Sequence, residues 1–387
     1  MNFAAQRQFS SFKKGGFRTA KAMMTDMAEK KRSTIVTIAE ELGVSPSTVS
    51  RAFLPDSPIS SEVRERILRC AAEQGYIPNR AASRLSMREI TIGIAMSDCY
   101  MQGVNEMLRG IEDAFRSLYD YKLNVKVRLF HAERQSQSDI RRLLSALYDC
   151  DGIIVRGIAS CEGLSELSAF SKLHRNVVLL QLKPANVPAL FASVHDPAVS
   201  AEIAAEFLAC CLRASAEKKV ALFTGDRSVE IHSTAEKVFS AAAERLGLQL
   251  TASFDMQDNA DLLAEQAKQL LSSSALDGIY ITSGISIELC KAVSRMERRP
   301  ALVTFDIYSE LNQYIRNGIV TATIYQNLHS QAFHAFTLLV QYIVKNKLPP
   351  EIFSPLPELV LPCALPFYTP PVTKQGGTCP LDIQYAT

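Results

Sequence analysis

The sequence has no run of about 18 apolar residues, which excludes a membrane-spanning helix of the usual length. The start of the chain lacks the apolar core of a secretion signal, and this favours a cytoplasmic protein with no membrane partner. The nine cysteines are an odd number and form no Cys-x-x-Cys pair. We therefore expect reduced thiols, several of them buried, and neither a disulfide framework nor a metal site.

The motifs of the common catalytic classes are also missing. The chain has no Gly-x-Ser-x-Gly, no Walker phosphate loop, no Gly-x-Gly-x-x-Gly and no His-Glu-x-x-His. Its six histidines are scattered along the sequence. We therefore expect no enzyme activity, no catalytic residue and no bound cofactor.

The charge of the chain is small but unevenly distributed. Apolar residues make up 47% of the 387 residues and charged residues 21%, which is ordinary for a soluble globular protein of two or three domains. The net charge is +2, yet residues 1–88 hold 15 Lys and Arg against 8 Asp and Glu, so the rest of the chain is slightly acidic. This asymmetry favours a DNA-binding head on a body that does not bind DNA. A basic tail without such a role also fits, because eight of the positive charges lie in 1–33.

The stretch from Thr34 to Phe53 has the pattern of two short helices. The first is predicted from apolar residues at helical spacing, and it ends at Gly43. Ser45 and Pro46 suit the N-cap and the first turn of the second helix. Two short helices joined by a glycine turn are typical of a helix-turn-helix, whose second helix enters the major groove of DNA.

A third helix and a second motif follow this pair. Ser60 caps a helix predicted from Ser61 to about Gln74. The combined pattern Thr-Ile-Ala…Gly-Val-Ser-x-x-Thr-Val-Ser-Arg, then Gly-Tyr-x-Pro-Asn-Arg-Ala-Ala-x-x-Leu, runs from Thr37 to Leu85. It resembles the DNA-binding headpiece and hinge helix of the lactose-repressor (LacI/GalR) family.

Beyond residue 90, buried strands alternate with amphipathic helices. The predicted strands are 90–96, 125–130, 152–155, 177–180, 220–223, 248–252, 278–281, 302–305 and 321–324. The predicted helices are 105–118, 139–148, 198–213, 234–246, 262–271, 287–295 and 330–345. Such alternation predicts parallel sheets with crossover helices, and about 280 residues is long for one such sheet, so we expect two α/β lobes.

The family resemblance implies a fold and a domain plan. An all-α helix-turn-helix headpiece and a hinge helix would precede a two-lobed α/β periplasmic-binding-protein-like (type I) effector domain. The chain would cross between the lobes three times, with about 90–193 and 325–346 in the first lobe and about 196–322 and the end of the chain in the second. The predicted parts are a disordered basic tail at 1–33 (unless translation starts near Met27), the head at 34–76, the hinge at 77–89, the ligand-binding and dimerisation domain at 90–370 and a loose tail at 371–387.

The resemblance also assigns DNA contacts to the head and the hinge. The side chains expected at base edges are Pro46, Ser47 and Arg51, and arginine is the best suited to guanine. The hydroxyls expected at phosphates are Thr37, Thr48 and Ser50, although Thr48 and Ser50 could serve only in capping and packing. The hinge residues expected at DNA are Asn79, Arg80, Ala82 and Leu85. Leu85 would be the minor-groove wedge, unless it is a core leucine that packs against the body.

A ligand is expected in the cleft between the lobes, where strands end. Asp306 and Gln326 match positions at which sugar-binding relatives contact sugar hydroxyls, and carboxylates and amides suit hydroxyl groups. His232 falls where many sugar-sensing members of the family have a histidine. Arg156 follows a strand, and Tyr100 could stack on a sugar ring.

Each candidate ligand residue also has a structural alternative. Asp306 could cap the following helix, Gln326 could bond across the lobe hinge, and His232 could lie in an exposed loop. Arg156 could pair with the body, and Tyr100 could pack in the core or at the rim. The chain also departs from the family pattern at three places. Asp98-Cys99-Tyr100-Met101 stands where many relatives have Asn-Pro-Phe-Phe, Ser233 stands where an arginine is common, and Pro197 stands where an asparagine is usual. These departures weaken the assignment to a particular sugar.

Together these features predict a DNA-binding transcriptional regulator, in this family most often a repressor, under allosteric control by a sugar or a sugar derivative. We expect a homodimer, or a tetramer, on a palindromic double-stranded operator, because one head offers little contact area. Two alternatives belong to other classes of protein. One is a sugar-binding or transport protein without a regulatory role, and the other is an enzyme that acts on a sugar.

Overall fold

The computed structural model describes residues 34–53, 59–76, 88–99, 101–273, 275–368 and 381–386. The chain separates into two compact units, with the boundary between Ser86 and Met87. The predicted tail at 1–33 and residues 77–87 of the predicted hinge lie outside the described residues. Within the described part, no helix has the length and the apolar character needed to cross a membrane.

Three helices form the described part of the first unit: α1 (Ile35–Leu42), α2 (Pro46–Ala52) and α3 (Ser61–Glu73). Gly43 ends α1 in the left-handed conformation at φ 64°, which glycine adopts without strain. Ser45 caps α2 by accepting a hydrogen bond of 3.1 Å from a backbone amide of the first turn. Ile38, Val49 and Ile67 are almost fully buried where the helices meet. The helix-turn-helix predicted from caps and spacing is therefore present.

The second unit contains two sheets with helices packed around them. The first sheet holds β1 (Ile90–Ser97), β2 (Leu123–Phe130), β3 (Gly152–Arg156), β4 (Val177–Leu180), β5 (Phe191–Ser193), β11 (Ile352–Phe353) and β13 (Asp382–Tyr385). The second sheet holds β6 (Lys219–Thr224), β7 (Gln249–Asp255), β8 (Gly278–Ile281), β9 (Ala301–Phe305), β10 (Ala322–Tyr325) and β12 (Glu358–Val360).

The helices of this unit lie between successive strands for most of the chain. They are α4 (Met101–Ser117), α5 (Gln137–Ser145), α6 (Cys161–Leu173), α7 (Pro197–Cys211), α8 (Glu230–Arg245), α9 (Ala260–Ser273), α10 (Ile287–Ser294), α11 (Ser309–Arg316), α12 (Leu328–Lys345) and α13 (Leu365–Tyr368). We call each sheet with its helices a lobe.

The strand order places the ends of the strands where a ligand can reach them. The order is β11-β5-β4-β3-β1-β2-β13 in the first sheet and β12-β10-β9-β8-β6-β7 in the second. Every pair of neighbouring strands is parallel except β10 and β12. The carboxyl ends of the parallel strands therefore gather at one edge of each sheet, the edge at which open α/β sheets bind ligands.

The chain passes between the lobes after β5, after β10 and after β11, as the resemblance implies. The long helix α12 belongs to the first lobe although it follows β10, because Leu328 and Phe336 lie in the core of the first lobe. A fourth passage follows α13. Leu365 of α13 lies in the core of the second lobe, whereas β13 returns to the first sheet.

The predicted loose tail at 371–387 is wrong for residues 381–386, and the chain end does not stay with the second lobe. Strand β13 pairs in parallel with β2 at the edge of the first sheet. The Ala386 amide donates to the Leu129 carbonyl at 2.8 Å, and Leu381 is buried. The physical reason is the open edge of β2, whose backbone groups would otherwise lack partners in the sheet. Residues 369–380 and 387 lie outside the described residues.

Candidate functional site

The helix α2 of the head turns its polar side away from the core. Pro46, Ser47 and Arg51 are exposed, and Thr48 and Ser50 are half-buried. The side chains expected at base edges therefore share an accessible surface, which a helix in the major groove requires.

Hydroxyl groups at the starts of α1 and α2 already take part in helix capping. Ser45 Oγ lies 2.7 Å from Ser47 Oγ and 2.8 Å from Thr48 Oγ1. Thr37 Oγ1 accepts a hydrogen bond of 2.8 Å from the Thr34 backbone amide, which completes a capping box. Thr37 and Thr48 thus have a structural role in the free head, and a phosphate contact would be made in addition to it.

Some predicted site residues lie outside the described residues. They are Asn79, Arg80, Ala82 and Leu85 of the hinge and Tyr100 after β1. Their DNA and ligand contacts stay predictions from the sequence.

A cleft of about 570 Å³ lies at the carboxyl ends of both sheets, a size typical of small-molecule sites. Polar residues from the first lobe line one wall: Ser97, Cys99, Gln135, Arg156 and Gln181. Polar residues from the second lobe line the other: Ser200, His232, Asp258, Tyr280, Thr282, Ser283 and Asp306. His195 and Gln326, at two of the lobe crossings, also border the cleft. Four predicted ligand residues therefore meet in one cleft: Arg156, His232, Asp306 and Gln326.

Asp306 and Gln326 form a buried pair in this cleft. The Gln326 side-chain amide donates to Asp306 Oδ2 at 2.5 Å, and the Gln326 backbone amide donates to Oδ1 at 3.3 Å. Asp306 has a left-handed backbone at φ 62° and is 3% exposed. It does not cap the next helix, because the N-cap of α11 is Tyr308. Gln326 also bonds across the lobes, since Gln181 Nε2 of the first lobe donates to its Oε1 at 3.5 Å.

Burial controls the protonation of Asp306. Burial raises the pKa of this carboxyl to about 7, although the two hydrogen bonds from Gln326 lower the pKa. The negative charge of Glu106 raises the pKa further. Burial therefore favours the neutral form of the group, which can donate to a ligand hydroxyl, whereas the carboxylate can only accept from one.

His232 is a buried wall residue of the cleft and does not lie in an exposed loop. It belongs to α8, its Nδ1 lies 3.0 Å from Thr282 Oγ1, and its Nε2 lies 3.7 Å from Asp258 Oδ2. Burial lowers the pKa of the imidazole, although the nearby carboxylates raise it. Glycine at position 225 lets the imidazole lie close to the backbone, because a Cβ there would lie 2.4 Å from His232 Nε2.

Arg156 is a buried anchor of the first-lobe wall. Its Nη1 donates to the carbonyls of Ser97 and Cys99, each at 2.8 Å, and its Nε donates to Gln181 Oε1 at 2.6 Å. The guanidinium therefore fixes the loop after β1 and the side chain of Gln181. Its main effect on the cleft is therefore to hold these neighbouring groups in position.

The cleft has the chemistry of a binding site for a small molecule. It offers carboxyl, amide, imidazole and hydroxyl groups beside apolar residues such as Phe305 and Ile231. Among the described residues, no three His, Cys, Asp or Glu side chains are grouped so that they could hold a metal ion. Reversible binding through hydrogen bonds and apolar contact is the function that this arrangement supports.

Comparison with known families identifies the two units separately. Residues 34–79 match the family described as "Bacterial regulatory proteins, lacI family". Residues 92–347 match the family described as "Periplasmic binding protein domain". The chain belongs to the lacI family of bacterial regulatory proteins. The predicted family and fold class are thereby confirmed, and the protein is a ligand-controlled DNA-binding regulator.

Individual relatives of this lacI-family regulator match most of its length. The ribose operon repressor of Bacillus subtilis (strain 168) is 26% identical over 330 residues, which cover 82% of this chain and 93% of the relative. The HTH-type transcriptional regulator pepR1 of Lactobacillus delbrueckii subsp. lactis is 28% identical over 266 residues, or 66% and 74% of the two chains. These relatives are transcriptional regulators by name, not enzymes.

Solved structures support the fold of this lacI-family regulator. A lac repressor dimer bound to operator and the anti-inducer ONPF is 19% identical, with a TM-score of 0.56 over 85% of this chain and 98% of that chain. The arabinose-binding protein AraP of Geobacillus stearothermophilus is 16% identical, with a TM-score of 0.64 over 73% and 99% of the chains. At these identities the likeness shows the architecture alone.

The sequence did not single out several cleft residues of this regulator. Gln181 bridges Arg156 and Gln326, and its left-handed backbone at φ 71° has no signal in the sequence. Tyr280 lies in a short apolar strand and looks like a core residue. Ser200 lies in the first turns of α7, among alanines. For Tyr280 and Ser200, the sequence signal that could have indicated the cleft was a polar group within an otherwise apolar segment.

Proposed function

We propose that this regulator is a repressor whose operator affinity is controlled by a sugar or a sugar derivative in the cleft between its lobes. The observation that carries the proposal is the buried Asp306–Gln326 pair at the carboxyl ends of the strands. A carboxyl and an amide together supply the donors and acceptors that hydroxyl groups need. The ribose operon repressor among the relatives and the arabinose-binding protein among the similar folds agree with a ligand of this class.

Control of DNA binding follows from the position of the cleft between two lobes. A ligand that contacts both walls binds one lobe arrangement more tightly than another, and so it shifts the population toward the arrangement that it prefers. If the two arrangements differ in their affinity for DNA, ligand binding changes operator affinity, and operator binding changes ligand affinity by the same free energy. Whether the ligand lowers or raises operator affinity depends on which arrangement it prefers.

The proposed DNA contacts are divided between the head and the hinge. Arg51, Pro46 and Ser47 would read base edges, and Thr37, Thr48 and Ser50 would contact phosphates. Asn79, Arg80 and Ala82 would follow the minor groove, with Leu85 as the wedge between bases. We propose a homodimer on a palindromic operator, in the cytoplasm, since DNA sites with two-fold symmetry match proteins with two-fold symmetry.

The experiment has two stages and uses the full-length protein. A palindromic fragment is first selected from a random DNA library, and its affinity is then measured by fluorescence anisotropy with and without a panel of sugars. We expect one sugar-type compound to change the affinity of the natural protein. Asp306→Ala should remain bound to the fragment and lose the response to the sugar. If no palindrome is enriched, or if Asp306→Ala responds normally, the proposal fails.

A sugar-binding protein without a regulatory role is the second candidate, because the body shares its fold with solved sugar-binding proteins. It predicts sugar binding by the chain without enrichment of any DNA sequence. A sugar-acting enzyme predicts something else, namely chemical conversion of a compound in the panel. Product analysis of the same mixtures separates these two outcomes from each other.

A further inference from the structure

We infer that the cleft selects an uncharged, hydroxylated molecule over the phosphorylated or carboxylate forms of that molecule, and that Tyr280 and Ser200 bind its hydroxyl groups. The inference rests on the proposed function, because it names the chemical class of ligand for the same cleft. Three features of the described lining support it: the hydrogen bonds that Arg156 already makes, the charges of the other ionisable groups, and the hydroxyl groups of Tyr280 and Ser200 on the second-lobe wall.

The described lining of the cleft has a single positively charged side chain, that of Arg156. Of the described residues that line the cleft, one is an arginine and none is a lysine. Proteins commonly hold phosphate and carboxylate groups with Arg or Lys donors aimed at the anion. Arg156 is buried, and it donates instead to two carbonyl groups and one side-chain amide of its own lobe. An anionic ligand would have to compete with these bonds and would loosen the first-lobe wall.

The other ionisable groups in the described lining of the cleft include carboxyl and imidazole groups. Two acidic side chains, Asp258 and Asp306, border the cleft. Burial lowers the pKa of His195 to about 4, against the raising effect of Asp196, and it also lowers the pKa of His232. Burial therefore favours the neutral form of both imidazoles. An anion in the cleft would meet two carboxyl groups without a compensating imidazolium ion.

Two residues that line the cleft have buried hydroxyl groups without a partner among the described residues. Tyr280 is 0% exposed and Ser200 is 1% exposed, and neither hydroxyl has a hydrogen-bond partner among the described residues. Both residues line the cleft, one from β8 and the other from α7. Buried hydroxyl groups in native proteins are nearly always hydrogen-bonded. A ligand hydroxyl can donate to one group and accept from another, so it is a suitable partner for both.

The charge selectivity is tested with matched sets of compounds on the full-length protein. The sets are glucose, glucose 6-phosphate and glucuronate; fructose and fructose 6-phosphate; and ribose and ribose 5-phosphate. Thermal shift and isothermal titration calorimetry give the affinities. We expect a neutral member to bind and its charged counterparts to bind at least about tenfold more weakly, because a buried anion without a partner is costly.

Asp258→Asn tests the electrostatic part of the argument with the same compounds. Removing one carboxylate from the wall should narrow the difference between the neutral sugar and its phosphate. If the ratio of the two affinities is unchanged, repulsion by Asp258 does not contribute to the selectivity and that step of the inference is wrong.

Tyr280→Phe and Ser200→Ala test the hydroxyl contacts. Each should weaken the neutral ligand by about tenfold, because each removes one hydrogen bond to the ligand. Tyr342→Phe is the matched control, since Tyr342 is a half-buried tyrosine of α12 that does not line the cleft. Unchanged ligand affinity in both Tyr280→Phe and Ser200→Ala would overturn their proposed role.

The outcomes for the inference and for the proposed function differ. If a phosphate or an acid binds more tightly than its neutral parent and alters operator affinity, the inference is overturned while the sugar-type regulator stands. If no compound in the sets binds, although the protein still selects a palindrome, both the sugar-type effector and the inference fail. Tight binding of a neutral sugar with Tyr280-dependent affinity supports both.

Discussion

Among single residues, Asp306 is the one in which opposing physical effects are most closely balanced. Two donors from Gln326 stabilise its carboxylate, but burial and the charge of Glu106 destabilise it. The net effect is a pKa raised to about 7, so burial outweighs the donors. A carboxyl that is held by donors yet protonates near neutrality can adjust its hydrogen bonding to a ligand, at a cost to the stability of the free protein.

The stability of the protein should therefore depend on pH through Asp306. The pKa of Asp306 is higher in the folded state than its ordinary value of 3.8, so the folded protein binds this proton more tightly than the unfolded chain does. The contribution of Asp306 to the free energy of unfolding is therefore greatest below about pH 4. Stability then falls as the pH rises toward 7, by on the order of 4 kcal/mol for a shift of about three pKa units. Asp306→Asn should remove this part of the dependence, measured as the free energy of unfolding between pH 4 and pH 8. Parallel pH curves for the two proteins would show that Asp306 titrates normally.

Arg51 is the residue at which DNA specificity is most directly testable. It is exposed on α2, and an arginine at a base edge can form two hydrogen bonds with guanine. Arg51→Ala should lose about 1–3 kcal/mol of binding to the selected operator and relax the preference at one base pair in each half-site. Arg69→Ala, an exposed arginine of α3, is the matched control and should not change the base preference. If Arg51→Ala weakens selected and random DNA equally, Arg51 contacts only phosphate.

The sequence located single residues well where a strand end and a family motif coincide. The structure brings Asp306, Gln326 and His232 to one cleft, as expected from their positions after strands. The sequence did not indicate that Tyr280 lines the cleft, because a tyrosine in an apolar strand is usually a core residue. Only the missing partner of its hydroxyl, seen in the structure, distinguishes Tyr280 from an ordinary core tyrosine. The partners of a buried side chain depend on packing between distant segments, which spacing in one sequence cannot give.

At the scale of elements, the helix α6 shows why a segment with weak periodicity is missed. Residues 161–173 contain a glycine and three serines, which favour caps and turns over helix interiors. The helix forms nonetheless, with Ser160 as its N-cap. Gly163 is needed because a Cβ there would lie 2.8 Å from Ile158 Cγ2 and from Ser160 Oγ. Close packing against the preceding loop thus overrides local propensity.

The C-terminal strand β13 was missed for a different reason. Its four residues are exposed, so it has no apolar pattern, and it is held by backbone pairing with β2. Tyr385 adds a ring contact, with its centroid 5.4 Å from that of His131. A strand that is defined by a distant edge has no local signature, because its hydrogen bonds depend on the order of the sheet.

Removing β13 should therefore weaken the first lobe and expose its edge. Deletion of residues 381–387 should lower the free energy of unfolding by roughly 1–3 kcal/mol and promote self-association, because the edge of β2 loses its partner. Chemical denaturation and light scattering measure the two effects. Ala386→Pro is a milder variant that removes one amide donor to Leu129. A deletion with natural stability and no association would show that β13 does not protect this edge.

At the scale of the whole molecule, the lobes are connected by more than the crossing segments. The Tyr325 hydroxyl at the end of β10 donates to the Glu106 carboxylate on α4, so this bond joins the second lobe to the first. Tyr325 is 8% exposed, and burial raises the pKa of Glu106 above its ordinary value. Glu106 in turn raises the pKa of Asp306 in the cleft. The inter-lobe bond and the ligand site are therefore electrostatically linked.

Tyr325→Phe should consequently change the coupling between ligand and operator without removing a residue that lines the cleft. The variant leaves the half-buried carboxyl group of Glu106 without this donor, which destabilises the lobe arrangement that the bond holds. We expect the ratio of operator affinities with and without ligand to change by about 0.5–2 kcal/mol in free energy. Fluorescence anisotropy on the selected operator, at zero and at saturating ligand, measures that ratio directly.

A tyrosine within one lobe provides the control that isolates the inter-lobe effect. The Tyr308 hydroxyl lies 2.7 Å from Ser286 Oγ, and both residues belong to the second lobe. Tyr308→Phe should lower the melting temperature of the free protein, because it disrupts a buried hydrogen bond, but it should leave the ratio of operator affinities as it is in the natural protein. If both variants change only the melting temperature, the Glu106–Tyr325 bond stabilises the fold and does not transmit the ligand signal. If Tyr325→Phe alone changes the ratio, the signal depends on a contact that opens and closes with the lobes.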